Sequence, residues 1–210
     1  MQNYPNYQQL FKCKIVPVVV LDDPELGADV AYALISGGID TIEVTLRTPN
    51  ALKVIDKIAN KVNGITVGAG TVLSEDDYDM AINHGAKFIV SPGLTPQLVE
   101  ASHKYDAPFI PGTVTPSEVI FALENGLSHL KFFPAQNYGG IATLKALGSV
   151  FAKVKFCPTG GINLENFKEY LDLPNVIAVG TSTICTSSIL ESGNFATQIT
   201  QNCRNFINKL

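Results

Sequence analysis

Eight short apolar runs, each followed by a helical pattern, recur along this chain at intervals of about twenty to twenty-six residues. They are Ile15–Leu21, Thr41–Leu46, Ile65–Ala69, Phe88–Val90, Pro108–Ile110, Leu130–Phe133, Lys155–Cys157 and Val176–Val179. Such a rhythm predicts successive β-α units and hence a parallel sheet. Helix starts are marked by Asp23-Pro24, Thr48-Pro49, Thr95-Pro96 and Thr115-Pro116, each an N-cap residue followed by a proline that suits the first helical position. Thr115 with Glu118, and Ser74 with Asp77, add capping-box spacing. With eight units and no linker, residues 1–210 are expected to form a single α/β domain, a (β/α)8 TIM barrel. The rival is an open doubly wound sheet, but its glycine fingerprint is missing after the first strand, where Val20-Leu21-Asp22-Asp23-Pro24 stands.

Three units echo one another. Gly38, Gly85 and Gly126 each end a helix, and Glu43, Val90 and Lys131 follow at the same offset of five residues. Equivalent positions point the same way, which turns Glu43, Thr45, Lys131 and Phe133 inward and Ile42, Val44, Leu130 and Phe132 toward the helices. Two of the inward residues carry charge inside apolar strands. An unpaired buried ammonium is costly, and a lysine freed of its proton is a nucleophile for carbonyl carbon. A lysine at a strand end can also snorkel to water over its own stem. Glu43 likewise reads either as a structural ion-pair partner or as a proton carrier for a catalytic lysine.

Barrel chemistry lies at the carboxyl ends of the strands, where Glu43, Arg47, Thr71 and Lys131 gather. Thr159-Gly160-Gly161-Ile162 and Gly180-Thr181-Ser182 follow the seventh and eighth runs, the place where barrels hold phosphate with backbone N–H groups and a short helix N-terminus. Either segment alone reads equally well as a tight turn. Gly68-Ala69-Gly70-Thr71 lacks the Gly-Lys-Ser/Thr continuation of a nucleotide loop, so it is read as a strand exit that presents the Thr71 hydroxyl. The net charge of -4 leaves no basic footprint for nucleic acid or acidic membranes, and no apolar run is long enough to span a bilayer. Four cysteines without C-x-x-C spacing and a start without signal-peptide character predict reduced thiols in a cytoplasm. Three isolated histidines, His84, His103 and His129, match no zinc spacing, so no metal is expected.

Taken together, Glu43-Val-Thr-Leu-Arg47-Thr-Pro, Val67-Gly-Ala-Gly-Thr71-Val-Leu, Ser91-Pro-Gly-Leu, Lys131-Phe-Phe-Pro-Ala and Phe156-Cys-Pro-Thr-Gly-Gly-Ile162 resemble the 2-keto-3-deoxy-6-phosphogluconate aldolase family. The resemblance runs from about Ile15 to Ser182. It implies a class I aldolase of the Entner–Doudoroff pathway, free of metal and cofactor and assembled as a homotrimer. Such an enzyme splits the phosphorylated keto acid into pyruvate and glyceraldehyde 3-phosphate and also acts on 4-hydroxy-2-oxoglutarate. By motif position it implies Lys131 as the Schiff-base lysine and Glu43 as general acid/base, moving protons through a water molecule. Arg47 and Thr71 would hold the pyruvyl carboxylate. Pro92, Phe133 and Thr159 would shape the pocket, Gly160, Gly161 and Ser182 would bind phosphate, and Gly180 and Thr181 are counted with them as substrate-binding. Thr181 departs from the Gly-Gly-Ser-Trp often found there. Thr45-Leu46-Arg47 differs from the Pro-Leu-Asn typical of galactonate-directed relatives. The alternatives are a galactonate-type aldolase, a metal-dependent pyruvate aldolase, or a non-catalytic phosphosugar-binding barrel.

Overall fold

The computed structural model describes residues 7–210. A short helix α1 (Tyr7–Leu10) precedes the first strand, β1 (Ile15–Val19). Then follow α2 (Pro24–Ser36), β2 (Thr41–Thr45), α3 (Ala51–Lys61), β3 (Thr66–Gly70), α4 (Glu75–Asn83), β4 (Ile89–Val90) and α5 (Pro96–Ser102). The next stave is split at Pro111 into β5 (Phe109–Ile110) and β6 (Gly112–Thr113), since proline cannot donate to a ladder. The chain continues through α6 (Pro116–Glu124), β7 (His129–Phe132), α7 (Gly140–Val150), β8 (Lys155–Pro158), α8 (Phe167–Leu171), β9 (Val179–Thr181), α9 (Ser187–Leu190) and α10 (Phe195–Ile207).

All strand pairs are parallel. They run in the order β5-β4-β3-β2-β1-β9 and β6-β7-β8. Continuity through Pro111 and the bridges Phe156↔Val176 and Thr159↔Gly180 join these two sheets into a (β/α)8 barrel. The inward and outward faces fall as the glycine echo predicts. Ile42, Val44, Leu130 and Phe132 belong to the main core shared with the helices. Val16, Phe88, Val90, Ile110, Cys157 and Ala178 form a separate inner cluster. Tyr7, Leu10 and Phe11 join that inner cluster from α1 and the residue after it, so α1 closes the amino-terminal floor. The Tyr7 hydroxyl donates to the Phe109 carbonyl, and the Thr41 hydroxyl donates to the Leu10 carbonyl.

Three local expectations are corrected. The last strand lies at Val179–Thr181 rather than Val176–Val179, because its ladder is with β1 (Ile15↔Val179, Val16↔Gly180, Pro17↔Thr181) and Val176 makes only one bridge. Thr48 does not cap α3: its hydroxyl donates to the Leu21 carbonyl, and the helix begins at Ala51 after Asn50. Nor does a short helix N-terminus follow directly on Gly180-Thr181-Ser182, since the chain stays irregular until α9, which is capped by Thr186. Asp23, Ser74, Thr95 and Thr115 cap their helices as predicted, Thr115 within a full capping box.

Candidate active site

Glu43 stands in the middle of β2, a strand that is buried along its whole length and carries no other charge, and is 3 % exposed. Lys131 stands across the barrel in β7, between Gly112 of β6 and Cys157 of β8, and is 6 % exposed. Lys131 Nζ donates to Glu43 Oε1 at 3.2 Å. It also lies 5.1 Å from the centre of the Phe133 ring, whose negative face attracts the cation. Neither charge snorkels. Each is held under the barrel mouth by the other, because burial of either alone would be far more costly. Cys157 is the nucleophile next to them in register, but burial pushes its thiol up to about 12, with the Lys131 charge opposing and Glu43 reinforcing that rise. At neutral pH the thiol stays protonated and does not compete with the amine.

The pair opens into a cavity of about 160 Å³ at the carboxyl ends of the strands. Arg47, Thr71, Pro92, Phe133, Thr159, Gly160, Gly161, Gly180 and Ser182 all line it. Val18, Thr45 and Ile162 line it too and were not foreseen as site residues. Thr45 was legible in principle, being two residues beyond Glu43 on the same face. Arg47 is exposed at the rim, with its backbone N–H donating to the Thr45 carbonyl. Thr71 adopts a left-handed φ of 58° at the exit of β3. Gly180 lets Thr159 lie against the strand, for a methyl at 180 would come within 3.0 Å of Thr159 Cγ2.

Gly160 and Gly161 have φ of 100° and 80°, a left-handed pair that only glycine adopts without strain. Among the described residues their N–H groups donate to no protein acceptor, which leaves them available to an anion. Thr181 does not join the cavity. Its side chain is 2 % exposed, and its hydroxyl donates to the Ile162 carbonyl and contacts the Thr183 hydroxyl at 2.9 Å. The departure at 181 therefore braces the loop from behind. Among the described residues no group of three or more His, Cys, Asp or Glu side chains is placed to hold a metal ion.

A parallel barrel with a buried lysine–glutamate pair beneath a glycine-rich loop fits the class of lysine-dependent enzymes that act on anionic carbonyl compounds. Comparison with known proteins narrows the class. A model of the KDPG and KHG aldolase family matches residues 7–201, and the chain belongs to that family. It is 42 % identical over 181 residues to the 2-dehydro-3-deoxy-phosphogluconate aldolase of Dickeya dadantii, spanning 86 % of this chain and 85 % of that one. To the enzyme of the same name from Zymomonas mobilis it is 44 % identical over 170 residues, 81 % of each chain. Among solved structures it superposes on the KDPG aldolase of Legionella pneumophila with a TM-score of 0.89 at 43 % identity, covering 93 % of this chain and 95 % of that one. That crystal structure holds pyruvate captured at low pH as a covalent carbinolamine intermediate. The 2-keto-3-deoxy-6-phosphogluconate aldolase of Zymomonas mobilis with 3-phosphoglycerate superposes with a TM-score of 0.90 at 37 % identity, covering 98 % and 95 %.

Proposed function

We propose that this chain is a class I aldolase that cleaves 2-keto-3-deoxy-6-phosphogluconate to pyruvate and glyceraldehyde 3-phosphate and also acts on 4-hydroxy-2-oxoglutarate. The observation that carries the reading is the 3.2 Å contact between two buried opposite charges at the cavity floor. Glu43 is close enough to take the ammonium proton directly, a shorter path than the water relay expected from sequence. The freed amine of Lys131 adds to the C2 ketone, and Glu43 returns the proton to the departing hydroxyl, so that water leaves, an iminium remains and Glu43 is again a carboxylate. As Glu43 accepts the C4 hydroxyl proton, the C3–C4 bond breaks and its electron pair enters the iminium to form an enamine. Aldehyde departs, the enamine is protonated at C3, and hydrolysis returns pyruvate and the lysine.

Arg47 and Thr71 are assigned to the pyruvyl carboxylate, a planar anion that a guanidinium fork fits. The N–H groups of Gly160 and Gly161, with Ser182, are assigned to the phosphate. Arg47 at the end of β2 supports the gluconate-type substrate over the galactonate type. The whole chain is proposed to work as one barrel unit, assembled as a homotrimer in the cytoplasm. Four unpaired thiols, Cys13, Cys157, Cys185 and Cys203, support a reducing compartment. Borohydride reduction in the presence of pyruvate tests the central claim. Mass should be added at Lys131 alone, and Lys131→Arg should abolish both labelling and turnover, since arginine forms no imine. Labelling at another lysine, or turnover near the native rate in that variant, would refute the covalent scheme and return Glu43 and Lys131 to an inert ion pair.

A further inference from the structure

Gly70 ends β3 beside Thr45 of β2, one inward position above the Gly68–Glu43 pair. Its φ is not left-handed, so its own backbone is open to any residue. What it lacks room for is a side chain. A methyl at 70 would lie 2.7 Å from Glu43 Cγ and 2.8 Å from Cδ, and closer still to Oε1. Real carbon contacts of this kind stay well beyond 3 Å, so the Glu43 side chain fills the volume that glycine leaves. Hydrogen bonds do not otherwise fix that carboxylate: among the described residues Lys131 is its one donor. A glutamate has three rotatable side-chain bonds, and a single 3.2 Å contact to a flexible lysine leaves its sideways position to packing.

We propose that Gly70 is a positioning residue, the seat that holds the Glu43 carboxylate within proton-transfer distance of Lys131 and of the bound keto acid. The proposal rests on Glu43 being the proton carrier. It explains why the exit of β3 keeps a glycine that backbone geometry does not demand. Gly68, the other inward glycine of this strand, serves a different neighbour, since a side chain there would overlap the Phe88 ring of the inner cluster.

The test is Gly70→Ala beside Glu43→Gln and the native protein. The obstructing atoms belong to a side chain that can rotate away, so the alanine variant should keep the fold and melt within a few degrees of native. Its kcat should fall roughly 10–100-fold with little change in KM, the size expected when a catalytic group moves by about 1 Å. Exchange of pyruvate methyl protons with deuterated solvent, which reports enamine protonation, should slow in parallel; a merely structural residue would not move it. If Gly70→Ala turns over and exchanges at native rates while Glu43→Gln is impaired, the seat is overturned and Glu43 keeps its role. If Glu43→Gln is itself unimpaired, the underlying reading falls and the seat with it. Should Gly70→Ala melt far below native, Gly70→Ala combined with Glu43→Asp removes a methylene from the crowded volume and must recover stability. No recovery would mean that the clash lies elsewhere and would overturn the proposal.

Discussion

At the scale of single residues, Thr71 carries a β-branched side chain at φ 58°, a region such residues rarely enter. Strain of about 1–3 kcal/mol at such a position is tolerated where it aims a functional group. Thr71→Gly should therefore leave the melting temperature unchanged or raise it by about 2–4 °C, the shift that roughly 1 kcal/mol gives in a domain of this size. The same change removes the hydroxyl from the cavity, so KM for the keto acid should rise. A drop in melting temperature with native KM would show Thr71 to be structural. Glu43→Gln preserves shape and loses the proton acceptor, so single-turnover cleavage should slow roughly 10²–10⁴-fold. Glu43 and Lys131 were legible in the sequence because each breaks the apolar pattern of its own strand. Gly70 was not, because its significance is a contact between neighbouring strands that no spacing along the chain records.

At the scale of elements, the glycines that close three helices, Gly38, Gly85 and Gly126, all take left-handed φ. That shared cap geometry is why a fixed offset of five residues predicted three inward side chains correctly. The final stave was misplaced because Gly180-Thr181 resembles a turn, whereas pairing with β1 makes it strand. Loop geometry also decides where the phosphate subsite can be tested. A side chain at Gly161 would be strained by its φ of 80° and would come within 2.7 Å of Gln136 Cβ, so its effect would mix folding with binding. Ser182 is exposed and lines the cavity, which makes Ser182→Asp the cleaner probe. A carboxylate there should raise KM for the phosphorylated substrate at least several-fold by like-charge repulsion and leave 4-hydroxy-2-oxoglutarate nearly unaffected. Equal effects on both substrates would place the phosphate elsewhere.

At the scale of the whole molecule, chemistry and closure occupy opposite ends of one barrel, the lysine pair near the mouth and α1 across the floor. The floor contains a titratable group. His129 at the start of β7 stacks on Tyr7 of α1 with ring centres 4.0 Å apart and planes 10° from parallel. Burial lowers its pKa below the usual imidazole value, and the nearby Lys155 charge lowers it further. The folded state thus binds the proton less readily than the unfolded chain does. Stability from this site is complete above an unfolded pKa of about 6.5 and is lost as pH falls from there through the folded value. His129→Phe retains an aromatic ring to stack on Tyr7 but cannot be protonated. Between pH 7.5 and 5.5 the native protein should therefore lose more melting temperature than the variant does. Both should keep the same cleavage rate at pH 7.5, since the floor does not touch the keto acid. Parallel melting curves across that range would show that folding does not lower the His129 pKa, and a large rate loss in the variant would show that the floor shapes the mouth.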